Sequence, residues 1–226
     1  MIRIVGIIHS KFRNAIGLVG IEVDPAKRIV RVKLARQWDR KQLSTIPSEI
    51  GKLYKKFRWD STYIDLTTGQ HFITQLRRHE GMNIHIITTQ KNVKDTNEIA
   101  QARIMDKVEM VQFMVLLKQN HQIEFPPNPP PSITELEEQI ALYTEKKTEA
   151  GNIDYYAPGD ELDNLTKALL IACFAARKHL EGNSDRAVGA KTVTTEQVSY
   201  EGEPELQVVG RAVGGVDSSK MYHDLW

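Results

Sequence analysis

A single cysteine, Cys173, is all the thiol this chain contains, so no disulfide framework is possible. It sits in the apolar run Ala168, Leu169, Leu170, Ile171, Ala172, Cys173, Phe174. There it reads as a small buried side chain in a reducing compartment rather than as a reactive thiol. No apolar stretch approaches the roughly 20 residues that cross a bilayer. The first residues lack the charged-then-apolar plan of a secretory leader, so the expected location is the cytoplasm. Net charge is nearly absent as well: 30 Lys and Arg against 29 Asp and Glu leave a formal +1. Nothing global then draws the chain to nucleic acid, and any such contact must come from a local basic face. No Gly-rich loop ending in Lys-Ser or Lys-Thr occurs, so no nucleotide cofactor is expected. At 226 residues, 41% hydrophobic and 26% charged, the chain has the composition of a globular protein of one large or two small domains.

The chain opens on β signals. Residues 1–8 and 15–23 are apolar and β-branched, and 29–35 alternate Ile29, Val30, Val32 and Leu34 with Arg31 and Lys33. Asp24, Pro25, Ala26 and Lys27 supply turn chemistry, which predicts an antiparallel three-strand meander. A helix then starts at Pro47 after Ser44 and Thr45, with Ile50, Leu53, Tyr54 and Phe57 inward. Lys52, Lys55, Lys56 and Arg58 face the other way, as a solvated face or a basic binding face. A strand Tyr63-Ile64-Asp65, a short helix from His71 to Arg78 and a strand from Asn83 to Thr88 follow. Strand, helix and strand in that order predict a parallel crossover and hence a mixed sheet.

The spacing predicts a long helix over 96–118, with Ile99, Ile104, Val108, Val111, Val115 and Leu116 inward. Prolines 126, 127 and 129–131 end it as a stiff extended connector, or as a proline-rich ligand for a partner domain. Ser132-Ile133-Thr134-Glu135 reads as a capping box opening a helix to about 143, with a loop over 146–152. A last helix spans 161–180 with Leu162, Leu165, Leu169, Ala172 and Ala176 on one face. The main domain is expected over 1–181. Residues 182–226 read as a tail, partly disordered or forming a hairpin through 192–198 and 206–209, and its apolar end near Trp226 could dock on a partner.

Two acidic segments stand out. Asp65 closes an apolar strand just before Gly69, and Asp160 and Asp163 lie three apart at the opening of the last helix. Brought together by folding, these carboxylates would hold a divalent cation. Each also has an ordinary use: Asp160 as an N-cap with Asp163 in the first turn, and Asp65 in an Asx-type turn into Thr67 and Thr68. His9, at the end of the first strand, is a further candidate ligand or a structural histidine.

The order of elements is that of a ribonuclease H-like α/β fold, a mixed sheet flanked by helices. The chain resembles the nuclease domain of the large subunit of viral DNA-packaging terminases. The likeness rests on Ile64-Asp65 with Gly69, on Ile84 to Thr88 followed by Lys91, and on Ile123-Glu124-Phe125-Pro126 with Glu135-Leu136. It closes on Asp163-Asn164-Leu165-Thr166-Lys167-Ala168-Leu169 and covers about residues 1–180. It implies hydrolysis of double-stranded DNA with two Mg²⁺ or Mn²⁺ ions, Asp65 and Asp163 as catalytic metal ligands, and Asp160 and His9 as helpers. From their places in the chain, Arg77 and Arg78 after the Asp65 strand and Lys91 at the carboxyl end of a parallel strand are the candidate contacts to nucleic acid. A packaging ATPase would be a separate polypeptide, alongside other viral subunits. In one respect the chain departs from the pattern: where the family places an acid at the end of the first strand, Ile8 or His9 stands, with Glu22 or Asp24 as substitutes from the next strand. A catalytically inactive module of this fold that binds DNA or a protein partner is the alternative, and a Holliday-junction resolvase is a third reading.

Overall fold

The β-branched runs at the start of the chain form the centre of a sheet because their side chains alternate between two apolar layers. β1 (Ile2–Ser10), β2 (Ala15–Asp24) and β3 (Ile29–Asp39) pair antiparallel in sequence order. The β2–β3 turn is set by Asp24, whose Oδ1 accepts the Lys27 N–H at 3.2 Å. The structure, a computed structural model, describes residues 1–10, 15–39, 44–89, 103–147, 153–158 and 162–181, all within one unit, Met1–Gly182. The expected tail, its hairpin and its apolar end lie outside the described residues.

α1 (Ile46–Phe57) carries the chain to β4 (Ser61–Asp65), which lies parallel to β1, and α2 (Gln70–Arg77) carries it on to β5 (Ile84–Thr88), parallel to β4. Two short strands close the sheet at its edges. β6 (Arg103–Ile104) runs beside β5, and β7 (Ile123–Glu124) runs beside β3. The spatial order is β6-β5-β4-β1-β2-β3-β7, the mixed sheet expected from the sequence.

One face of this sheet buries Val5, Ile7, Ile16, Leu18, Ile64 and Ile86 against residues of α1 and α2 such as Ile50 and Ile73. The other buries Ile4, Val19, Ile21, Tyr63 and Ile87 beneath α3 (Lys107–Gln119), α4 (Pro131–Ala141) and α5 (Asn164–Leu180). α5 is buried nearly all round, which explains why its sequence is apolar on more than one face. Cys173 lies inside it, and burial pushes its thiol up to about 12, so the cysteine is an inert core side chain.

Four expectations need correction. The long helix begins at Lys107, because Asp106 caps it by accepting the Val108 N–H at 2.8 Å and residues 103–104 are drawn into the sheet instead. Its buried face is Met110, Val111, Phe113, Met114 and Leu117, with Val111 inward as expected, while Leu116 and Ile104 are 52% and 61% exposed. The α4 helix starts at Pro131, whose missing N–H suits a first turn, so Ser132 is not its cap. Part of the expected loop is a second, two-stranded sheet: β8 (Thr144–Lys147) pairs antiparallel with β9 (Ile153–Tyr156), anchored by the buried rings of Tyr143 and Tyr155. Finally, α5 starts at Asn164 with Asp163 as its N-cap, one turn later than the sequence suggested.

Candidate functional site

On β4, Tyr63 belongs to the α5-side cluster and Ile64 to the opposite one, so strand alternation sends Asp65 toward α5. Its residue surface is only 1% exposed. On β1 the same alternation sends Ile8 to the α5 side. His9 pairs across the hairpin with Ile16 and leaves on the α1/α2 side. Ile7 is the register partner of Ile64, so the next step along both strands brings Ile8 beside Asp65. Of the two residues at the expected first-strand acid position, Ile8 is the one on this face.

Glycine brings α5 down onto the sheet. A Cβ on Gly17 would lie 2.5 Å from the Asn164 carbonyl oxygen, and one on Gly6 would fall on the Ala168 carbonyl oxygen. Bare backbone at both positions lets the helix start rest directly on β2 and β1. Gly17 is the register partner of Ile8. Read across this face, the order is therefore Asp65, then Ile8, then Gly17 with the start of α5 above it. Two strand spacings, about 10 Å, separate the outer backbones.

Asp163 is 2% exposed and makes no capping hydrogen bond. Its Oδ2 instead accepts from Lys167 Nζ at 2.7 Å, one turn along the helix, while Oδ1 is buried with no hydrogen-bond partner. Asn164 is fully buried, and neither polar atom of its side chain has a hydrogen-bond partner. The cap that Asp163 does not provide comes from a chain of amides. The Leu165 N–H donates to Gln139 Oε1 at 2.9 Å, Gln139 Nε2 donates to Gln37 Oε1 at 3.0 Å, and Gln37 Nε2 donates to Glu135 Oε1 at 2.9 Å. This chain satisfies an otherwise open helix-start N–H and ties α5 to α4 and β3. Burial, and then the charge of Glu138, raise the Glu135 carboxyl above its ordinary value. Nearby, burial first and then the negative charges of Asp163 and Asp154 hold the Tyr143 hydroxyl well above the usual phenol range.

The donors at this end of the sheet are oxygens, the set preferred by Mg²⁺ and Mn²⁺. Ile8 offers no lone pair between the two aspartates, and Lys167 adds a positive charge. These residues fit one hard cation better than two. Among the described residues, no group of three His, Cys, Asp or Glu side chains is placed to hold a metal. Asp160 and Lys91 lie outside the described residues. The substitutes on β2 are engaged elsewhere: Glu22 lies opposite Arg3 at the far end of β1 and pairs with Arg3 (3.3 Å) and Lys33 (3.6 Å), and Asp24 serves its turn. Arg77 ends α2 and lines a groove at the β5 edge, and Arg78 is the exposed C-cap of the same helix. Lys52, Lys55 and Lys56 are exposed on α1.

No family model and no curated protein matches the chain. Solved structures do. The large terminase nuclease from thermophilic phage G20c superposes with a TM-score of 0.54 at 14% identity, covering 76% of this chain and 80% of that one. The large terminase nuclease domain of Thermus phage P74-26 gives 0.51 at 15% identity, over 76% and 77% of the two chains. The g2p nuclease domain of bacteriophage SPP1, solved with bound Mn, gives 0.50 at 13% identity, over 77% and 86%. The fold is that of large-terminase nuclease domains. The G20c terminase nuclease was also solved with bound magnesium, a hard cation of the kind that the oxygen donors here suit.

Several residues of this site were not singled out by sequence reasoning. Lys167 was readable, since a lysine four residues after an acid on a helix is a standing ion-pair signal. The Gln139–Gln37 link joins elements 102 residues apart and leaves no local trace.

Proposed function

We propose that this chain is a divalent-cation-dependent nuclease domain acting on double-stranded DNA, with Asp65 and Asp163 as the cation ligands. The observation that carries the reading is the pair itself: two carboxylates, each almost fully buried, at the same end of the same face of the sheet. Burying a carboxylate costs several kcal/mol unless it is compensated, and a divalent cation is one means of compensating two on one face. A bound Mg²⁺ or Mn²⁺ supplies Lewis-acid stabilisation of phosphodiester oxygens and an acidified water. The chain's own part is to hold that ion. Asp65 does so from a strand end and Asp163 from a helix start clamped by Gln139. Asp160, three residues before Asp163, would supply the additional carboxylate that a second ion needs.

A second reading is favoured by two specific observations. Ile8 occupies the bridging position on the correct face, and Lys167 already neutralises one oxygen of Asp163. In that case the domain binds DNA without cutting it. The test is incubation of supercoiled plasmid with Mn²⁺ and the wild-type protein, Asp65→Asn or Ile8→Asp. Cleavage by the wild type that disappears in Asp65→Asn supports the first reading. Cleavage by Ile8→Asp alone supports the second. Cleavage that survives Asp65→Asn removes the carboxylate pair from the chemistry.

A further inference from the structure

At the sheet edge, away from the carboxylates, a groove of ≈ 300 Å³ opens beside β5. Arg77 from the end of α2, Arg103 from β6 and Lys178 from the last turn of α5 line it with Tyr63, His85 and Ile84. These cations come from three separate elements, and no carboxylate among the described residues lines the groove. Arg177, the neighbour of Lys178, is by contrast neutralised by Glu181 at 2.6 Å. Like charges gathered around one cavity repel, and an anion in the cavity relieves that repulsion.

The other walls suit the same ligand. The His85 ring stacks on Tyr63 with centroids 4.7 Å apart, and Lys178 Nζ donates to the Tyr63 hydroxyl at 3.3 Å. Burial, then the charge of Lys178, hold the His85 imidazole below its usual value, so at neutral pH it offers a flat ring and a neutral nitrogen. β6 covers β5 only at Ile87 and Thr88. Below that point no strand among the described residues covers the β5 edge, which leaves backbone polar groups facing the groove.

We infer that this groove is a phosphate-binding subsite that seats a backbone phosphate of nucleic acid, independently of any metal. The inference rests on the DNA-directed reading above, and it extends that reading along β4. Tyr63 and Asp65 leave the same face two residues apart, roughly 7 Å along the strand, a step comparable with the spacing of successive backbone phosphates. The subsite therefore positions the strand and reads no sequence.

The experiment measures fluorescence anisotropy of a short labelled DNA duplex in EDTA over a salt series. The proteins are the full chain, the double variant Arg77→Gln/Arg103→Gln, the single variant Lys178→Gln, and a charge-matched control, Lys52→Gln/Lys55→Gln on α1. Removing the groove cations is expected to weaken binding on the order of 10-fold and to make the slope of log K against log salt shallower by about 1 per phosphate lost. Inorganic phosphate should compete with the duplex in the wild type and less in the groove variants. Equal losses in the α1 control and the groove variants would mean that only net charge matters, and would overturn the inference. So would unchanged affinity and slope in groove variants whose melting curves match the wild type. Because EDTA removes the cation, this series reads the groove alone, whereas cleavage of plasmid in Mn²⁺ reads the carboxylates. A failed carboxylate site and a failed groove are thereby told apart.

Discussion

The carboxylate end of the sheet and the basic groove at its edge handle charge in opposite ways. Asp65 and Asp163 are almost completely buried, and Asp163 has its own ammonium partner built into α5. Arg77, Arg103 and Lys178 remain exposed around open space, with no carboxylate of the described residues among them. A buried charge must be compensated within the protein or by a tightly held ion, whereas an exposed cluster can wait for a ligand from solution. The first arrangement predicts ion-specific binding that salt barely affects, and the second predicts weak, salt-sensitive binding of phosphate.

The largest expected break in this contrast comes from Asp65→Asn. It should weaken Mn²⁺ binding on the order of 100-fold by titration calorimetry, because a full negative charge leaves the donor set. Retained Mn²⁺ affinity would locate the ion elsewhere. Lys167→Met comes next. Freed of its internal counter-ion, Asp163 should bind Mn²⁺ about 10-fold more tightly. The metal-free protein should lose about 1–3 kcal/mol in denaturant unfolding, less than a fully buried pair would, since Lys167 is 26% exposed. If affinity falls instead, the lysine is part of the binding site rather than a competitor for it.

Gln139→Leu should cost about 1–3 kcal/mol. It strands the Leu165 N–H and the Gln37 amide together, and urea midpoints read the effect directly. The smallest effect belongs to Tyr143→Phe and is visible only at high pH. The folded phenol is raised above its ordinary 10.0, chiefly by burial and then by Asp163. The folded state therefore keeps its proton where the unfolded state loses it. That contribution to stability is complete below pH 10 and is lost as the pH rises beyond it. A Tyr143→Phe protein should show a flatter alkaline limb in its melting temperature, and an unchanged limb would assign that loss to other groups.

The meander was legible because Ile29, Val30, Val32 and Leu34 alternate cleanly and Asp24 with Pro25 marks the turn. The parallel half was legible because β4, α2 and β5 follow one another with Gly69 and Gly81 between them. β6 was not, since two residues carry no period, and Ile104 lent its apolar character to a false helical stripe that also enlisted Leu116. β8 was hidden by its composition: Lys146 and Lys147 read as loop, Thr144 and Glu145 carry no period, and only the pairing with β9 makes them a strand. At the site, Asp65 announced itself as a carboxylate at the end of an apolar strand. The faces taken by Ile8 and His9 could not be chosen without the β1–β4 register, and Lys178 joined Arg77 only through the packing of α5 along β1.

Two glycines give α5 a property that ordinary core packing would not. A helix cushioned on side chains rises or sinks as those side chains change size over evolution. One seated on the peptide groups at Gly6 and Gly17 has its clearance fixed by atomic radii. The height of the helix opening above the sheet is therefore insulated from drift in the surrounding core. The same seating makes it brittle: one added methyl at either glycine lifts the entire helix, and with it the acidic residue at its start.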